Sequence, residues 1–237
     1  MVKIYQVGGC IRDKFLNLNP KDIDYAVEAN SFQEMVEFIE KRGNIYLKKE
    51  DTFTVRAKYD GIDADFTLCR KERNYTNKRK PDIIEVGTLY DDISRRDFTC
   101  NAIAMDEDEN IIDYYNGIQD IEDKILKCVG DTKERLEEDG LRTFRAIRFN
   151  ITKGMQFVPE LKEALQSDWI IDIIKMISTE RIRQEMIKCF EFSTLKTLQS
   201  LEEFPKIREY MLSVLWLIPT TKKKSKKNAK MCVSHVK

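Results

Sequence analysis

Residues 3–27 read KIYQVGGCIRDKFLNLNPKDIDYAV, and this stretch decides the fold. Lys3–Val7 has the composition of a short strand and runs into the pair Gly8-Gly9. A helix is predicted around Ile11–Leu18, and Asp22–Val27 is predicted as a second strand. A strand, a glycine turn, a helix and another strand in this order indicate a domain that mixes strands with helices.

The following segments extend this domain. Ser31 and Glu34 have the spacing of a capping box, which marks the start of a helix. The apolar residues of that helix recur at helical spacing and should face the sheet: Phe32, Met35, Val36 and Ile39. Two more strands, Thr52–Lys58 and Ile62–Leu68, are joined by a tight turn at Asp60-Gly61.

Three further segments lead to a change of pattern. Arg70–Pro81 has almost no apolar residues and is predicted as a long, mobile loop. Asp92–Met105 is predicted as a helix and Ile111–Tyr115 as a strand. From about Asp131 the pattern is helical throughout, with Ser178 capping one helix and Pro205–Ile218 forming the last.

We therefore predict an α+β fold in three parts. Residues 1–130 form a head with a small mixed or antiparallel sheet flanked by helices. Residues 131–219 form an all-helical neck and body, and residues 220–237 form a disordered lysine-rich tail.

The side-chain inventory excludes several kinds of chemistry. The 237 residues include a single histidine, His235, which lies in the lysine-rich tail. Ser-His-Asp catalysis, Cys-His catalysis and histidine metal cages all need a positioned imidazole. The six cysteines never form a C-x-x-C pair and are predicted as reduced, mostly buried thiols. Any catalysis must therefore use carboxylates, Arg and Lys, and a metal that oxygen ligands can hold.

The formal charge of zero hides an uneven distribution. There are 41 Lys and Arg against 41 Asp and Glu, but residues 220–237 hold seven Lys and no acid. Residues 70–80 form a second basic run with six basic residues and one acid. Such runs are usually solvated tails or loops, and the alternative is contact with nucleic-acid phosphates.

The apolar segments indicate no membrane partner. The longest strongly apolar stretch, Met211–Pro219, is shorter than the roughly 20 residues of a membrane helix. The first residues look like a strand and not like a signal peptide, so we expect an intracellular, cytoplasmic protein.

The first candidate site is the D-x-D of Asp22 and Asp24. Alternate residues of a strand point to the same face, so the two carboxylates can share hard cations such as Mg²⁺. An exposed strand face is the commoner explanation of such a pair, but this one follows a Gly-Gly turn whose bare N–H groups can meet a triphosphate. Asp63 and Asp65 form a second D-x-D, and Asp65 is either a third catalytic carboxylate or a surface residue.

Two charged segments supply further candidates. Arg95 and Arg96 suit a triphosphate because a guanidinium pairs bidentately with phosphate oxygens, and the alternative is a helix tied by ion pairs such as Asp92–Arg96. Asn101 either holds a ribose hydroxyl or caps a backbone group. In the later segment EDGLR at 138–142, Glu138, Asp139 and Arg142 are predicted to share one helix face beside Arg145, where a salt-bridge ladder is the default explanation.

The order of these motifs resembles the bacterial-type (class II) tRNA nucleotidyltransferase and poly(A) polymerase family. That family shows G-G-x-V-R-D, D-x-D, R-R-D-F-T-x-N-A and E-D-x-x-R followed by R-A-x-R-F. This chain has GGCIRD at 8–13, DID at 22–24, RRDFTCNA at 95–102, EDGLR at 138–142 and RAIRF at 145–149. Residues 113–117 look like the connecting strand and turn of the family, and residues 178–182 look like its later helical motif. The resemblance covers about residues 3–192.

The resemblance implies a polymerase beta-like nucleotidyltransferase head with defined residue roles. Asp22 and Asp24 would bind two Mg²⁺ ions, and Asp65 would be the third catalytic carboxylate. The loop Arg70–Pro81 would lie near the site. The implied substrates are CTP and ATP, and the implied partner is RNA, above all the 3′ end of tRNA. The residues with an implied or inferred nucleotide-binding role are Gly8, Gly9, Arg12, Asp92, Arg95, Arg96, Asn101, Glu138, Asp139, Arg142 and Arg145.

Donor and acceptor patterns support a base-reading role for Asp139 and Arg142. A carboxylate only accepts hydrogen bonds and a guanidinium only donates them. Cytosine and adenine each offer an amino donor beside a ring acceptor, which suits this pair. Uracil and guanine show the reverse order and would leave buried polar groups unpaired, at about 1–3 kcal/mol each.

The product stays open at this point. CCA addition or repair is the first hypothesis, with A-only, CC-only or poly(A) synthesis as enzymatic alternatives and a catalytically silent RNA-binding module as the alternative from another class. Relatives carry longer helical body and tail domains that hold tRNA. One hypothesis is that the lysine-rich tail supplies part of the RNA affinity through salt-dependent phosphate contacts.

Overall fold

The computed structural model of the protein describes residues 2–20, 23–75 and 81–215. Asp22, residues 76–80 of the predicted loop, residues 216–218 of the predicted last helix and the lysine-rich tail lie outside these ranges. The strands are β1 (Lys3–Val7), β2 (Ile23–Glu28), β3 (Gly43–Lys49), β4 (Thr54–Tyr59), β5 (Ile62–Leu68), β6 (Arg70–Arg73), β7 (Ile83–Val86), β8 (Ile103–Met105), β9 (Ile111–Asp113), β10 (Ile125–Leu126) and β11 (Gln156–Phe157).

Eleven helices are described, and those from α5 onward are called here the helical part. They are α1 (Gly9–Phe15), α2 (Phe32–Glu40), α3 (Leu89–Ser94), α4 (Gly117–Glu122), α5 (Thr132–Glu138), α6 (Leu141–Lys153), α7 (Pro159–Gln166), α8 (Trp169–Ile174), α9 (Thr179–Phe192), α10 (Thr194–Glu202) and α11 (Pro205–Leu215). Within the described ranges, no helix combines the length and apolar composition needed to cross a bilayer.

A mixed sheet of seven strands organises the first part of the chain. Its order is β3-β4-β5-β2-β1-β8-β9, and among its described pairs only β2 and β5 run parallel. A parallel pair needs a long connection, which α2 and the β3–β4 hairpin provide here. The predicted α+β class, with a mixed sheet flanked by helices and helices following, is confirmed.

The two faces of the sheet carry separate cores. On one face α2 packs with Met35, Val36 and Ile39 buried, as its spacing predicts. On the other face α3 contributes Leu89 and Ile93. The Ser31 hydroxyl caps α2 by accepting from the Glu34 N–H, but the Glu34 carboxylate accepts from the backbone of Asn30, so the predicted capping box is only half formed.

A third core joins the sheet part to the helical part. It runs from Cys10 and Ile11 of α1 through Phe98 to α6 and the later helices. The rings of Phe98 and Phe149 meet edge to face with centroids 5.5 Å apart. The five cysteines of the described ranges are free and buried, as predicted, and burial raises the pKa of Cys100 and Cys128 to about 12.

Several predicted elements are wrong or incomplete. The helix predicted over Asp92–Met105 ends at Ser94 and is followed by a 3₁₀ turn at Thr99–Asn101 and by β8. The reason is local: the Asp97 carboxylate accepts the Phe98 N–H and an amide hydrogen of Asn101, which competes with helical hydrogen bonding. The α1 helix also ends early, at Phe15, and Asn17 has φ of 55°.

The predicted loop is in part a hairpin. Arg70–Arg73 pairs with Ile83–Val86 in a separate two-stranded sheet, so its first four residues are a strand. The strand β3 was not predicted, and β11 is a two-residue strand within the region predicted as all-helical. The predicted division of the chain into three parts stays a prediction.

Candidate active site

Two carboxylates of the main sheet face each other across neighbouring strands. Asp24 on β2 pairs in register with Asp65 on β5, and neighbouring strands lie about 4.8 Å apart. Directly paired residues present their side chains on one face, and Asp63 lies on that face because it is two residues from Asp65. These three acids line a cavity of about 420 Å³ together with Arg56 and Tyr46.

Arg56 pairs with Asp65 across the β4–β5 hairpin. Its Nε lies 2.5 Å from Oδ1 and its Nη2 lies 2.6 Å from Oδ2 of Asp65. The two side chains are 50% and 33% exposed. An ion pair this exposed contributes about 0–1 kcal/mol, so a bound cation can displace Arg56 from Asp65 at small free-energy cost. The sequence contained a signal for this pair, because a two-residue turn at Asp60-Gly61 sets Arg56 opposite Asp65.

The chemistry of this cavity fits a hard cation. Asp24 and Asp65 offer only carboxylate oxygens, which are the ligands that Mg²⁺ prefers. Within the described ranges, no group of three or more His, Cys, Asp or Glu residues is close enough to hold a metal ion. The remaining predicted ligand, Asp22, lies outside those ranges, so the metal site stays a prediction.

Gly8 and Arg96 meet at the start of α1. Gly8 has φ of 73°, a conformation that favours glycine, and a Cβ there would lie 2.6 Å from Nη1 of Arg96. Gly9 follows as the first residue of the helix. The Arg96 guanidinium is one-fifth exposed and donates to Asp92 over 3.1 Å. The positive φ therefore favours glycine at position 8, and a side chain there would also have to displace the end of the Arg96 side chain.

Asp92 is the buried anchor of both arginines of the RRD motif. It is fully buried and accepts hydrogen bonds from Arg95 and Arg96. Burial alone would raise the pKa of Asp92, but the two guanidiniums hold it below its ordinary value. The i,i+4 pair of Asp92 and Arg96, which the spacing predicts, is present. Asp92 therefore orients the arginines and is not itself accessible to a nucleotide.

Three other predicted nucleotide-binding residues lie in one buried network. Arg12 donates from Nη1 to Oδ1 of Asn101 over 2.5 Å, and Asn101 donates to Asp97 over 2.9 Å. Arg145 reaches the other oxygen of Asp97 over 2.5 and 2.8 Å. Burial alone would raise the pKa of Asp97, but Arg145 and Asn101 hold it well below its usual range. Asp97 was not among the predicted site residues, and nothing local signals a partner 48 residues away.

Arg12 also contacts the helical part. Its side chain is 9% exposed, its Nε and Nη2 donate to Asp13, and its guanidinium lies 4.9 Å from the centroid of the Phe149 ring. Lys153 donates to the same oxygen of Asp13 over 2.9 Å. The structure thus brings Arg12, Asn101 and Arg145 together as links between α1, the RRD segment and α6.

The predicted base-reading residues line a second cavity, of about 530 Å³. Asp139 and Arg142 border it, together with Arg95, Arg181 and residues of the β6–β7 hairpin. The prediction that they share one helix face is wrong. Asp139 is extended (φ −141°, ψ 103°) and separates α5 from α6. Arg142 pairs with Glu138 over 2.7 Å and donates to the backbone oxygens of Arg135 and Arg95.

The hairpin closes this cavity through a glutamate that the sequence did not single out. Glu72 on β6 is nearly buried and pairs with Arg70 over 2.7 Å and with Arg95 over 3.2 Å. It also accepts a hydrogen bond from the Tyr75 hydroxyl. These cations and the tyrosine hold the pKa of Glu72 below its ordinary value, against the effect of burial. A segment predicted as a loop offered no reason to expect a buried acid.

The chain belongs to the poly A polymerase head domain family, whose model matches residues 4–127. A CCA-adding enzyme of Lactobacillus johnsonii is 37% identical over 185 residues, which are 78% of this chain and 45% of that enzyme. A CCA-adding enzyme of Leuconostoc citreum is 39% identical over 189 residues, with 78% and 44% of the two chains covered.

A solved structure agrees with the sequence relatives. The Bacillus stearothermophilus CCA-adding enzyme in complex with CTP matches with a TM-score of 0.73 at 30% identity. The match covers 84% of this chain and 47% of that one. The chain therefore spans about half the length of the relatives that it matches.

Proposed function

We propose that this protein is a template-independent RNA nucleotidyltransferase that adds CMP and AMP, from CTP and ATP, to the 3′ end of tRNA. The observation that carries the proposal is the register of Asp24 opposite Asp65, on the one parallel strand pair described in the main sheet of a poly A polymerase-type head. The CCA-adding enzymes among its relatives, one of them solved with CTP, support CTP and ATP as substrates.

In this proposal the sheet carboxylates hold the metal ions. Asp24 and Asp65, with Asp22 two residues before Asp24 in the sequence, would bind Mg²⁺ through oxygen. When bound, Mg²⁺ supplies charge neutralisation for an in-line phosphoryl transfer. Arg56 pairs with Asp65 and offsets part of the repulsion between the two neighbouring carboxylates. Proton transfer needs no histidine, which agrees with the composition.

Arg96 is the group that we expect to meet the triphosphate. It is partly exposed, it lies against Gly8, and Asp92 fixes its orientation from the buried side. A guanidinium in this position can donate to phosphate oxygens without first being ordered, which lowers the entropic cost of binding. Arg12, Asn101 and Arg145 are engaged with protein groups, and we propose that they hold the site together and do not bind the phosphates directly.

The cavity between the hairpin and the helical part would receive the base. Asp139 and Arg142 offer an acceptor and a donor there, which fits the amino and ring nitrogen edges of cytosine and adenine. A base presenting the reverse pattern leaves polar groups unpaired. Selection by two side chains requires no nucleic-acid template.

One experiment tests the proposal against its alternatives. A tRNA lacking its terminal CCA is incubated with Mg²⁺ and each nucleotide, alone and mixed. Growth by CMP and then AMP supports CCA addition, whereas growth by one nucleotide type alone supports CC-only or A-only addition. Long growth with ATP alone supports poly(A) synthesis. Absence of growth, with Asp24→Ala behaving like wild type, supports a silent RNA-binding module and contradicts the proposal.

The RNA partner and its compartment are parts of the same proposal. We propose that tRNA is bound in the cytoplasm and that the lysine-rich residues 220–237 add phosphate contacts.

A further inference from the structure

Arg181 is the cation that faces the predicted base-reading carboxylate. Its Nη2 lies 3.2 Å from Oδ2 of Asp139 and its Nη1 lies 3.5 Å from Oδ1. The residue belongs to the first turn of α9, 42 residues from its partner. Both side chains border the cavity of about 530 Å³ that Arg142 also lines. Arg181 lies within residues 178–182, which resemble the later helical motif of the family. These residues have no role in the transfer reaction proposed above.

Asp139 is held from two sides. Its Oδ1 accepts the backbone N–H of Leu141 over 3.1 Å, which fixes one oxygen at the start of α6. Arg181 approaches both oxygens from α9. A carboxylate with both oxygens engaged cannot rotate freely, so its remaining lone pairs point in defined directions.

Arg142 does not supply this restraint. Its guanidinium pairs with Glu138 and donates to the carbonyl oxygens of Arg135 and Arg95. Within the described ranges, no hydrogen bond joins the side chains of Asp139 and Arg142. The two base-reading groups are thus oriented separately: Arg142 by α5 and the backbone of Arg95, and Asp139 by Leu141 and Arg181.

The contact of Arg181 with Asp139 is also loose enough to admit a ligand. Charge-assisted N–H···O bonds are typically about 2.7–2.9 Å long, and both distances here exceed that range. A carboxylate can accept about four hydrogen bonds, and the described contacts use three. The exocyclic amine of a base can therefore bind to Asp139 while Arg181 stays in place.

We propose that Arg181 is a positioning residue for base selection, which rests on the proposed function. By holding the Asp139 carboxylate in one orientation it allows an amino group of cytosine or adenine to pair. A carboxylate free to turn would also accept the ring N–H of uracil or guanine, with Arg142 donating to the neighbouring carbonyl. Loss of Arg181 should therefore weaken rejection of UTP and GTP more than it weakens catalysis.

The test compares Arg181→Ala and Arg181→Lys with Arg183→Ala. Arg183 lies on the same helix, one-third exposed, and pairs with Glu180 over 3.5 Å, so it is the matched control. Equilibrium titration with CTP and with UTP measures the binding preference without RNA. Incorporation of CMP and UMP into tRNA lacking CCA gives kcat and KM. Thermal unfolding shows whether each variant is folded.

We expect Arg181→Ala to lower the preference for CTP over UTP about tenfold, by lowering the KM for UTP and raising the KM for CTP with little change in kcat. Arg181→Lys should recover part of the preference because it keeps a cation near Asp139, and Arg183→Ala should match wild type. An unchanged preference in folded Arg181→Ala, or an equal loss in Arg183→Ala, would overturn the inference. If Arg181→Ala does not fold, the test uses Arg181→Lys alone. Wild-type preference and wild-type KM in that variant would overturn the inference.

The same measurements separate this inference from the proposed function. A wild-type protein that prefers CTP to UTP in binding, with that preference lost in Arg181→Ala, supports the positioning role even where no nucleotide is transferred. Failure of wild type to extend RNA overturns only the proposed transfer. A wild-type protein with no preference between CTP and UTP overturns the positioning role.

Discussion

The carboxylates on the sheet and the carboxylates next to the helical part have the same chemistry in opposite surroundings. Asp24 is exposed, and Asp65 is one-third exposed with a half-exposed arginine as its partner. Asp92 and Asp97 are 0% and 8% exposed, and each accepts from two or more side-chain or backbone donors.

This difference distinguishes carboxylates that can bind a cation from carboxylates that maintain the fold. A carboxylate that must bind a cation has to keep lone pairs open to solvent, so it contributes little to stability. A carboxylate that is enclosed by arginines is closed to ligands, and the protein is destabilised when either partner is removed alone. Removal of one partner from a buried pair leaves an uncompensated charge in the interior. After the loss of an exposed acid, water solvates the groups that remain. Mutations in the two regions should therefore separate activity from folding.

The largest effect is expected at Asp24. Asp24→Ala should lower CMP transfer by about a thousandfold, since loss of metal-supported charge stabilisation removes several kcal/mol from the transition state. The urea midpoint should stay at the wild-type value because the side chain is exposed. Asp63→Ala, in the same cavity, is the control and should retain most activity. Wild-type transfer by Asp24→Ala would contradict the assignment.

The second effect is one of stability. Asp97→Asn should lower the free energy of unfolding by about 3 kcal/mol, because Arg145 then loses its buried partner. Glu203→Gln, which breaks the half-exposed pair with Lys162, should change it by less than about 0.5 kcal/mol. Both values follow from urea unfolding. Equal changes in the two variants would mean that burial does not distinguish the pairs.

The third effect is the acid dependence of stability. The pKa values of Asp92, Asp97 and Glu185 are lowered in the folded protein by guanidinium partners that outweigh burial. Their stabilisation is complete above the unfolded pKa of about 4 and is lost as the pH falls towards the folded values. The urea midpoint of unfolding should therefore depend little on these groups between about pH 5 and 7. It should decrease when the pH is lowered below about 4.

Asp92→Asn should reduce the slope of the free energy of unfolding against pH in this acid range. The reduction is at most about 1.4 kcal/mol per pH unit, which is the contribution of one proton. A variant with the wild-type slope would show that Asp92 does not contribute to acid unfolding.

A smaller effect is expected at the junction between the two regions. Arg142→Ala should relax base choice about tenfold towards UMP and GMP, because the donor of the reading pair is lost. Arg142→Lys keeps the charge but not the planar fork, and should be intermediate. Competition between CTP and UTP in single-nucleotide incorporation measures the ratio. Strict choice of C and A in Arg142→Ala would refute its role as a reading residue.

The smallest effect concerns the lysine-rich residues 220–237. Their deletion should weaken RNA binding a few-fold at low salt and reduce the salt dependence of the affinity, since each phosphate contact releases counterions. A full-length variant with the seven lysines changed to glutamine separates charge from length. Unchanged affinity and salt slope after deletion would exclude a role in binding.

The sequence was most informative where partners are near in the chain. The strands β1, β2 and β5, the buried face of α2, the pair Asp92–Arg96 and the pair Glu138–Arg142 follow from short spacings. The Arg56–Asp65 pair was also accessible, because a two-residue turn sets the register of its hairpin.

Predictions from the sequence were wrong where a side chain ends regular structure. Asp97 ends the helical pattern by bonding its own neighbourhood, and Asp139 separates α5 from α6 in an extended conformation. Both acids sit in segments whose spacing favours a helix. Each acid also pairs with a distant arginine, Asp97 with Arg145 and Asp139 with Arg181, and no local pattern connects these partners.

The sequence by itself determined β1, β2 and β5, the buried face of α2, the glycine turn before the first helix and the residue types of a carboxylate site, since these depend on interactions over a few residues. Only the tertiary structure decided which cation faces which acid. The pairs Arg145–Asp97 and Arg181–Asp139 span 48 and 42 residues, and they form because α6 packs against Phe98 on one side and against α9 on another. Periodicity shows which face of a helix is buried, whereas the packing of several helices decides what that face meets.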